Sequence, residues 1–188
     1  MGVYGCIKYA CLRPKNVICL FHEVSFNMRR KDREIFGREN IEPILQACKV
    51  CRVAMIADGA PYVIPLNFGY TWDETGLTLY FHSGLKGKKI DALRADARIC
   101  FEMDMQDGLT GEGDLACRYS YAFSSVVGYG AMEFAQTNEE KRRGFDIIMK
   151  HQTGRDGWTY SDSHLAVTEV FWVHADSFEA SRKQPKQG

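Results

Sequence analysis

Apolar and polar positions follow two regimes along the chain. Through residue 27 no period is sustained, because Lys8, Arg13 and Lys15 interrupt each apolar run. At Met28 the text changes to Met-Arg-Arg-Lys-Asp-Arg-Glu, and from Glu39 regular signals begin. Ile41, Ile44, Leu45 and Cys48 form the i, i+3, i+4, i+7 stripe of a short helix, with Asn40 as N-cap and Pro43 in the first turn. Cys51 to Ala57, the turn Asp58-Gly59 and the run Pro61 to Tyr70 predict a β-hairpin. A polar turn at Asp73 to Gly76 leads to a strand from Leu77 to His82, a Gly- and Lys-rich loop, and a helix with Ile90, Leu93 and Ala97 on one side. Next come a strand from Arg98 to Met103, a long polar loop from Asp104 to Gly113, and extended stretches through Tyr121 and from Phe123 to Phe134. Thr137-Asn138-Glu139-Glu140 is a capping box opening a helix to about Lys150, with Phe145, Ile148 and Met149 inward. A loop from Thr153 to Ser163 precedes a last strand, Val167 to Val173. The expected class is therefore α+β: a mainly antiparallel barrel of about six strands with peripheral helices.

Composition narrows the function classes. A chain of 188 residues has the size of one domain and can bury roughly 70% of its unfolded surface, so it needs no metal or disulfide staple. We expect a working domain over 28–188, with Met28 as the initiator and residues 1–27 as an upstream extension; a weakly packed N-terminal arm is the alternative. A formal net charge of zero argues against a nucleic-acid or anionic-membrane partner. No stretch reaches the ~20 apolar residues of a membrane-spanning helix. The seven cysteines are odd in number and scattered, so a reducing cytoplasm is the expected location.

One segment concentrates candidate chemistry. Tyr80 to Asp91 supplies glycines at 84 and 87, hydroxyl donors, Lys86, Lys88 and Lys89, and a helix N-terminus with unpaired N–H groups, the parts of a monoester-phosphate site. On spacing alone the same lysines could be a solvated helix start. Lysines there oppose the helix macrodipole, a conflict that a bound anion relieves. His82 has two readings, a proton donor or anion partner and a satisfied structural histidine. Cys48 and Cys51 have C-x-x-C spacing but no matching second pair for zinc, so they read as buried small apolar residues. Cys117 reads as core or rim packing, with an approach to the ligand pocket through the long loop before it as the alternative, and Tyr119, Tyr121 and Phe123 alternate as sheet-packing aromatics.

The succession PYVIPLNFGY, LTLYFHSGLKGKKIDALR, RICFEMD and SSVVGYGAMEF resembles the FMN-binding split-barrel proteins of the pyridoxamine 5'-phosphate oxidase-like superfamily, and most closely its nitroimidazole-resistance (Nim) branch. The resemblance spans about residues 28 to 180. It implies a Greek-key split barrel, a homodimer, FMN held between two barrels, and an oxidoreductase that takes electrons from an NAD(P)H donor and passes them to a small acceptor such as a 5-nitroimidazole. The alternative is a non-catalytic flavin-, haem- or deazaflavin-binding protein. By the same resemblance Tyr62, Val63, Ile64, Pro65, Leu66 and Asn67 line the flavin ring. Phe81, His82 and Ser83 lead toward the phosphate; Lys86, Gly87, Lys88 and Lys89 hold it; Ser125, Val126 and Trp172 approach the flavin from other strands or the other subunit. The C-terminal Arg and His pair with which vitamin B6 oxidases hold substrate is not recognisable between Ala175 and Lys183, which disfavours that reaction.

Overall fold

The Asp58-Gly59 turn starts the sheet. Both residues adopt positive φ (54° and 75°), the pair of left-handed positions that a tight two-residue hairpin requires. They join β2 (Val50–Ala57) to β3 (Ala60–Asp73), paired from Ala57↔Ala60 to Val50↔Asn67. The computed structural model describes residues 28–184, so the expectations for residues 1–27 lie outside the described residues. Around this hairpin stand β1 (Glu34–Ile35), β4 (Gly76–Gly84), β5 (Arg98–Thr110), β6 (Ser120–Phe134) and β7 (Thr168–Lys183). All pairs are antiparallel, in the order β1-β7-β4-β3-β2-β5-β6, and β6 pairs with β7 to close six strands into a Greek-key barrel.

Alternation puts one set of side chains inside this barrel: Val53, Phe68, Leu79, Phe81, Phe101, Met103, Val126, Phe171 and Val173 are fully buried. Helices finish the enclosure. From one end α1 (Arg38–Ala47) inserts Ile41, Ile44 and Leu45 into the core, and α2 (Lys88–Ala95) contributes Ile90, Ala92 and Leu93. On the outside, α3 (Asn138–Thr153) packs against β3, β4 and β7, started by the full capping box of Thr137 and Glu140. A short α4 (Asp162–Ala166) follows. Two glycines let α3 approach: a Cβ on Gly69 would meet the Ile147 carbonyl oxygen at 2.5 Å, and one on Gly144 would meet Val170 Cγ1 at 2.5 Å.

Several boundaries depart from the sequence reading. Gly37, not Asn40, occupies the N-cap of α1, and Pro43 lies inside the helix; Asn40 instead donates from its side chain to the Phe36 carbonyl, 2.8 Å away. α2 stops at Ala95 because Asp96 is extended, so Ala97 is outside it and Ala92 is its third buried residue. Residues 104–110 are strand, not loop. They pair only with β6, across a bulge between Gln106 and Gly108, and beyond Met105, which still packs on the core, a strand with no core to face carries no apolar alternation. β7 likewise runs on past Val173 to Lys183.

Because the Ile147 carbonyl cannot move without bending α3, Gly69→Ala is expected to cost about 1–3 kcal/mol of stability. A urea unfolding midpoint equal to that of the wild type would show that α3 is not seated so tightly.

Candidate functional site

The site follows from a change of partners in β3. Its second half pairs with β4 from Asp73↔Gly76 to Phe68↔Phe81, whereas residues 60–67 pair only with β2. β4 continues beyond Phe81 but there pairs with β7 alone, from His82↔Val170 to Gly84↔Thr168. The two strands therefore part after Phe68 and Phe81, and β3 presents an edge at 61–67 with no strand against it. Pro61 and Pro65, which lack an N–H, stand in this stretch, as edge strands permit. Along it Val63, Pro65 and Asn67 face outward and are exposed, while Tyr62, Ile64 and Leu66 pack partly against the barrel core.

The cleft runs out at the N-terminus of α2. Gly87 caps the helix at φ 125°, a conformation that a side chain would strain, and accepts from the N–H groups of Ile90 and Asp91. The N–H groups of Lys88 and Lys89 precede the first helical bond, and no side chain caps the helix. A Cβ at Gly84 or Gly87 would meet nothing within 4 Å, so the backbone is open to a ligand. Lys86 and Lys88 are exposed and Lys89 half-buried. Lys88 Nζ lies 3.2 Å from Asp58 Oδ2 and 5.3 Å from the centre of the Tyr62 ring. Such an exposed pair contributes about 0–1 kcal/mol, whereas a charge-assisted bond to phosphate contributes roughly 1.5–3 kcal/mol, so an anion can take Lys88 from Asp58. Asp58 was not singled out from the sequence. The available signal was its Asp-Gly turn, which leads straight into the open edge.

Other expected residues are distributed around the barrel. Phe81 and Val126 are wholly inside, so a ligand outside the barrel meets only their backbone, and Ser83 is buried as well. Ser125 lies on β6, separated from β3 by β2 and β5, with its hydroxyl 3.0 Å from that of Ser181. Trp172 lies on β7 beyond β4, its ring 6.2 Å from that of Tyr80. Within one chain the structure joins residues 61–67 to 84–89 and leaves Ser125, Val126 and Trp172 apart. His82 is on the outer face of β4 where the strands part, its ring 5.3 Å from Phe145, which also stacks on Tyr160 and contacts His164. Its Nδ1 is buried without a hydrogen-bond partner. Burial first, then the nearby His164 and Lys89, holds its pKa below 6.5.

The cysteines offer no reactive centre here. Burial pushes the Cys48 thiol up to about 11 and raises Cys51 further. Cys117, expected in the core or rim, is exposed, as are Tyr119 and Tyr121, because the hairpin that carries them projects past the barrel. No metal-ligating cluster and no helix long and apolar enough to cross a membrane occur among the described residues.

Known proteins are similar to this chain. The family pattern described as pyridoxamine 5'-phosphate oxidase matches residues 37–182. A candidate 5-nitroimidazole antibiotic resistance protein from Bacteroides thetaiotaomicron is 35% identical, over 79% of this chain and 86% of that one, with a TM-score of 0.68. The flavocytochrome Anf3 from Azotobacter vinelandii is 19% identical over 89% and 77%, with a TM-score of 0.74. An FAD- and heme-binding protein from Mycobacterium smegmatis is 19% identical over 83% and 77%, with a TM-score of 0.68. The last two share the fold. No curated protein is significantly similar to the chain.

The His82 environment has a measurable consequence. Its folded pKa lies below the ordinary 6.5, so the unfolded chain takes up the proton first. The stability that neutral His82 contributes is complete above that value and declines as pH falls through it. Between about pH 7 and about pH 5.5 the urea midpoint of the wild type should fall more than that of His82→Leu. Parallel profiles would mean that His82 is not held neutral.

Proposed function

The chain belongs to the pyridoxamine 5'-phosphate oxidase family, and on that premise we propose that it is an FMN-dependent oxidoreductase, working as a homodimer, that reduces small nitroaromatic acceptors such as 5-nitroimidazoles with electrons from NADH or NADPH. The observation that carries this reading is the parting of β3 from β4. It leaves a one-sided strand edge that ends at a lysine-bearing helix start with no side-chain cap.

These residues fit a flavin monophosphate. Backbone N–H and C=O groups along 61–67 match the mixed donors and acceptors of an isoalloxazine edge, which side chains of one polarity would not. The outward faces of Val63 and Pro65 supply apolar contact for the ring, and Asn67 adds a polar group where the strands part. Lys88, Lys89, their backbone N–H groups and the open turn at Gly84 to Gly87 are suited to a phosphate dianion, with Lys86 at the rim. A bound flavin supplies hydride and single-electron transfer. The protein's part is placement and proton control. His82, neutral and with Nδ1 free of a protein partner, is suited to accept a hydrogen bond or to relay a proton beside the cleft. The nitroaromatic class rests on the 35% identity to the Bacteroides protein.

Two measurements bear on this reading. Purified protein should bind FMN saturably and bleach anaerobically with NADH or NADPH; no binding overturns the cofactor, and a flavin that neither donor reduces makes the protein a flavin carrier. Lys88→Ala with Lys89→Ala should weaken FMN by roughly a hundredfold or more while leaving riboflavin nearly unchanged, and Asp58→Asn should tighten FMN by up to about fivefold. Equal losses of FMN and riboflavin would remove the phosphate clamp.

A further inference from the structure

Beside the lysine cluster a groove of about 470 Å³ runs along α2 from Lys88, between the helix and the end of β2, and its size is that of a small-ligand pocket. Its floor is formed by Ile56, Ala57, Ala92 and Ala95, with Ile56 half exposed. Methyl side chains on α2 leave a flat apolar surface there, the shape that a purine ring covers. Asp58 and Asp91, both exposed, also line the groove, and Lys88 stands at the end nearest the cleft. Ile56 is level with Pro61, and Val63 and Pro65 follow on the same strand ~7 Å and ~14 Å away. A ligand in the groove and a ring on the strand edge therefore lie within the span of one dinucleotide. A second cavity, of about 740 Å³, includes Arg33, Arg182 and Lys183 in its lining. Arg182 lies ~40 Å along β7 from Val170, the residue level with His82, so within one chain that cavity cannot share a ligand with the cleft.

We propose that this groove takes the adenosine-diphosphate half of the nicotinamide donor and that its acidic rim selects NADH over NADPH. This rests on the flavin reading, in which the flavin phosphate occupies Lys88 and Lys89. Asp58 pairs with Lys88 at 3.2 Å, and a phosphate that takes Lys88 leaves the Asp58 carboxylate with acceptor capacity and no cation. Asp91 has no ion-pair partner among the described residues. Ionised carboxylates only accept hydrogen bonds, which suits the ribose hydroxyls as donors. The same two groups meet a 2′-phosphate as like charge. A carboxylate on the ribose hydroxyls is also the device by which dinucleotide-binding turns favour the form without the 2′-phosphate. The basic residues around α2 do not offset it. Arg94 is held by Glu169 at 2.7 Å and Arg98 by Asp96 at 2.6 Å. Lys86 is left for the diphosphate, and no cation remains for a 2′-phosphate.

ADP-ribose, which carries the adenosine and diphosphate but no nicotinamide, probes the groove without turnover. Calorimetric titration of the full-length, FMN-loaded protein should show saturable ADP-ribose binding, roughly tenfold or more tighter than that of its 2′-phosphate. Asp58→Asn should move the two ligands in opposite directions, weakening ADP-ribose by roughly three- to tenfold while tightening FMN. Asp58→Asn with Asp91→Asn should bring the KM values for NADH and NADPH to within about threefold of each other. Ala95→Phe, which fills the groove, should raise the NADH KM by roughly tenfold or more and leave the FMN dissociation constant unchanged. FMN-loaded protein that binds no ADP-ribose, or binds it and its 2′-phosphate equally, overturns the proposal. So does a preference for FAD over FMN that Ala95→Phe abolishes, because the groove then holds part of the cofactor. Protein that binds ADP-ribose with the stated preference but takes no FMN overturns the flavin reading and leaves the groove.

Discussion

The candidate site depends on β3 being shared between two partners. A 14-residue strand that paired with β4 along its whole length would close the barrel without leaving a usable edge. Here α3 fixes the point of departure. Gln152 donates to the carbonyls of Phe68 (2.8 Å) and Lys49 (3.0 Å), and His151 Nε2 lies 2.8 Å from the Cys48 carbonyl, so the end of the helix grips both strands of the hairpin at the residue where β3 leaves β4. Gly69, the next residue, has no side chain to hold the helix off. Beyond that point β3 remains with β2, β4 remains with β7, and α2 lies at the mouth of the gap.

The faces of the elements were legible in the sequence, and their neighbours were not. Period two placed Val53, Leu79, Phe81 and Phe101 inside, and the helical stripe placed Ile41, Ile44 and Leu45 on the core, because burial acts directly on side-chain polarity. The Asp58-Gly59 hairpin and the Thr137 capping box were legible because a backbone conformation or an orphan N–H demands those residue types. Strand partners leave no such mark. A residue at 64 alternates in the same way whether one or both of its edges are paired, so the open edge is visible only in the register. The β5–β6 arm leaves no mark for a related reason: Asp107, Gly108 and Thr110 read as loop because a two-stranded projection has no core to impose alternation.

The candidate site divides along the same line. Chemistry that needs a residue type was readable, as with the glycines and lysines of 84–89. Chemistry that needs an environment was not. Nothing around His82 in sequence shows that Phe145, Tyr160 and His164, 63 to 82 positions away, gather into the cluster that buries it and lowers its pKa. Nor does sequence show that Asp58 reaches Lys88, since that contact exists only because α2 is set against the tip of the β2–β3 hairpin.

That contact also explains how the fold tolerates its own site. Lys88 and Lys89 stand at the positive end of α2, where each cation costs a few tenths of a kcal/mol up to about 1 kcal/mol. The helix is held there by Ile90 and Leu93, both fully buried, whose burial is worth roughly 1.5–3 kcal/mol each. Apolar anchoring on one face therefore outweighs electrostatic frustration on the other, and Asp58 screens part of what remains. An anion in the turn would turn the same charges from a cost into a contribution. A ligand at a hundred times its dissociation constant adds about 2.7 kcal/mol to the folded state, which exceeds the cost of placing the two lysines. The cluster is mildly destabilising alone and would be stabilising when filled, so that anion binding and local order at the α2 start would form one coupled equilibrium.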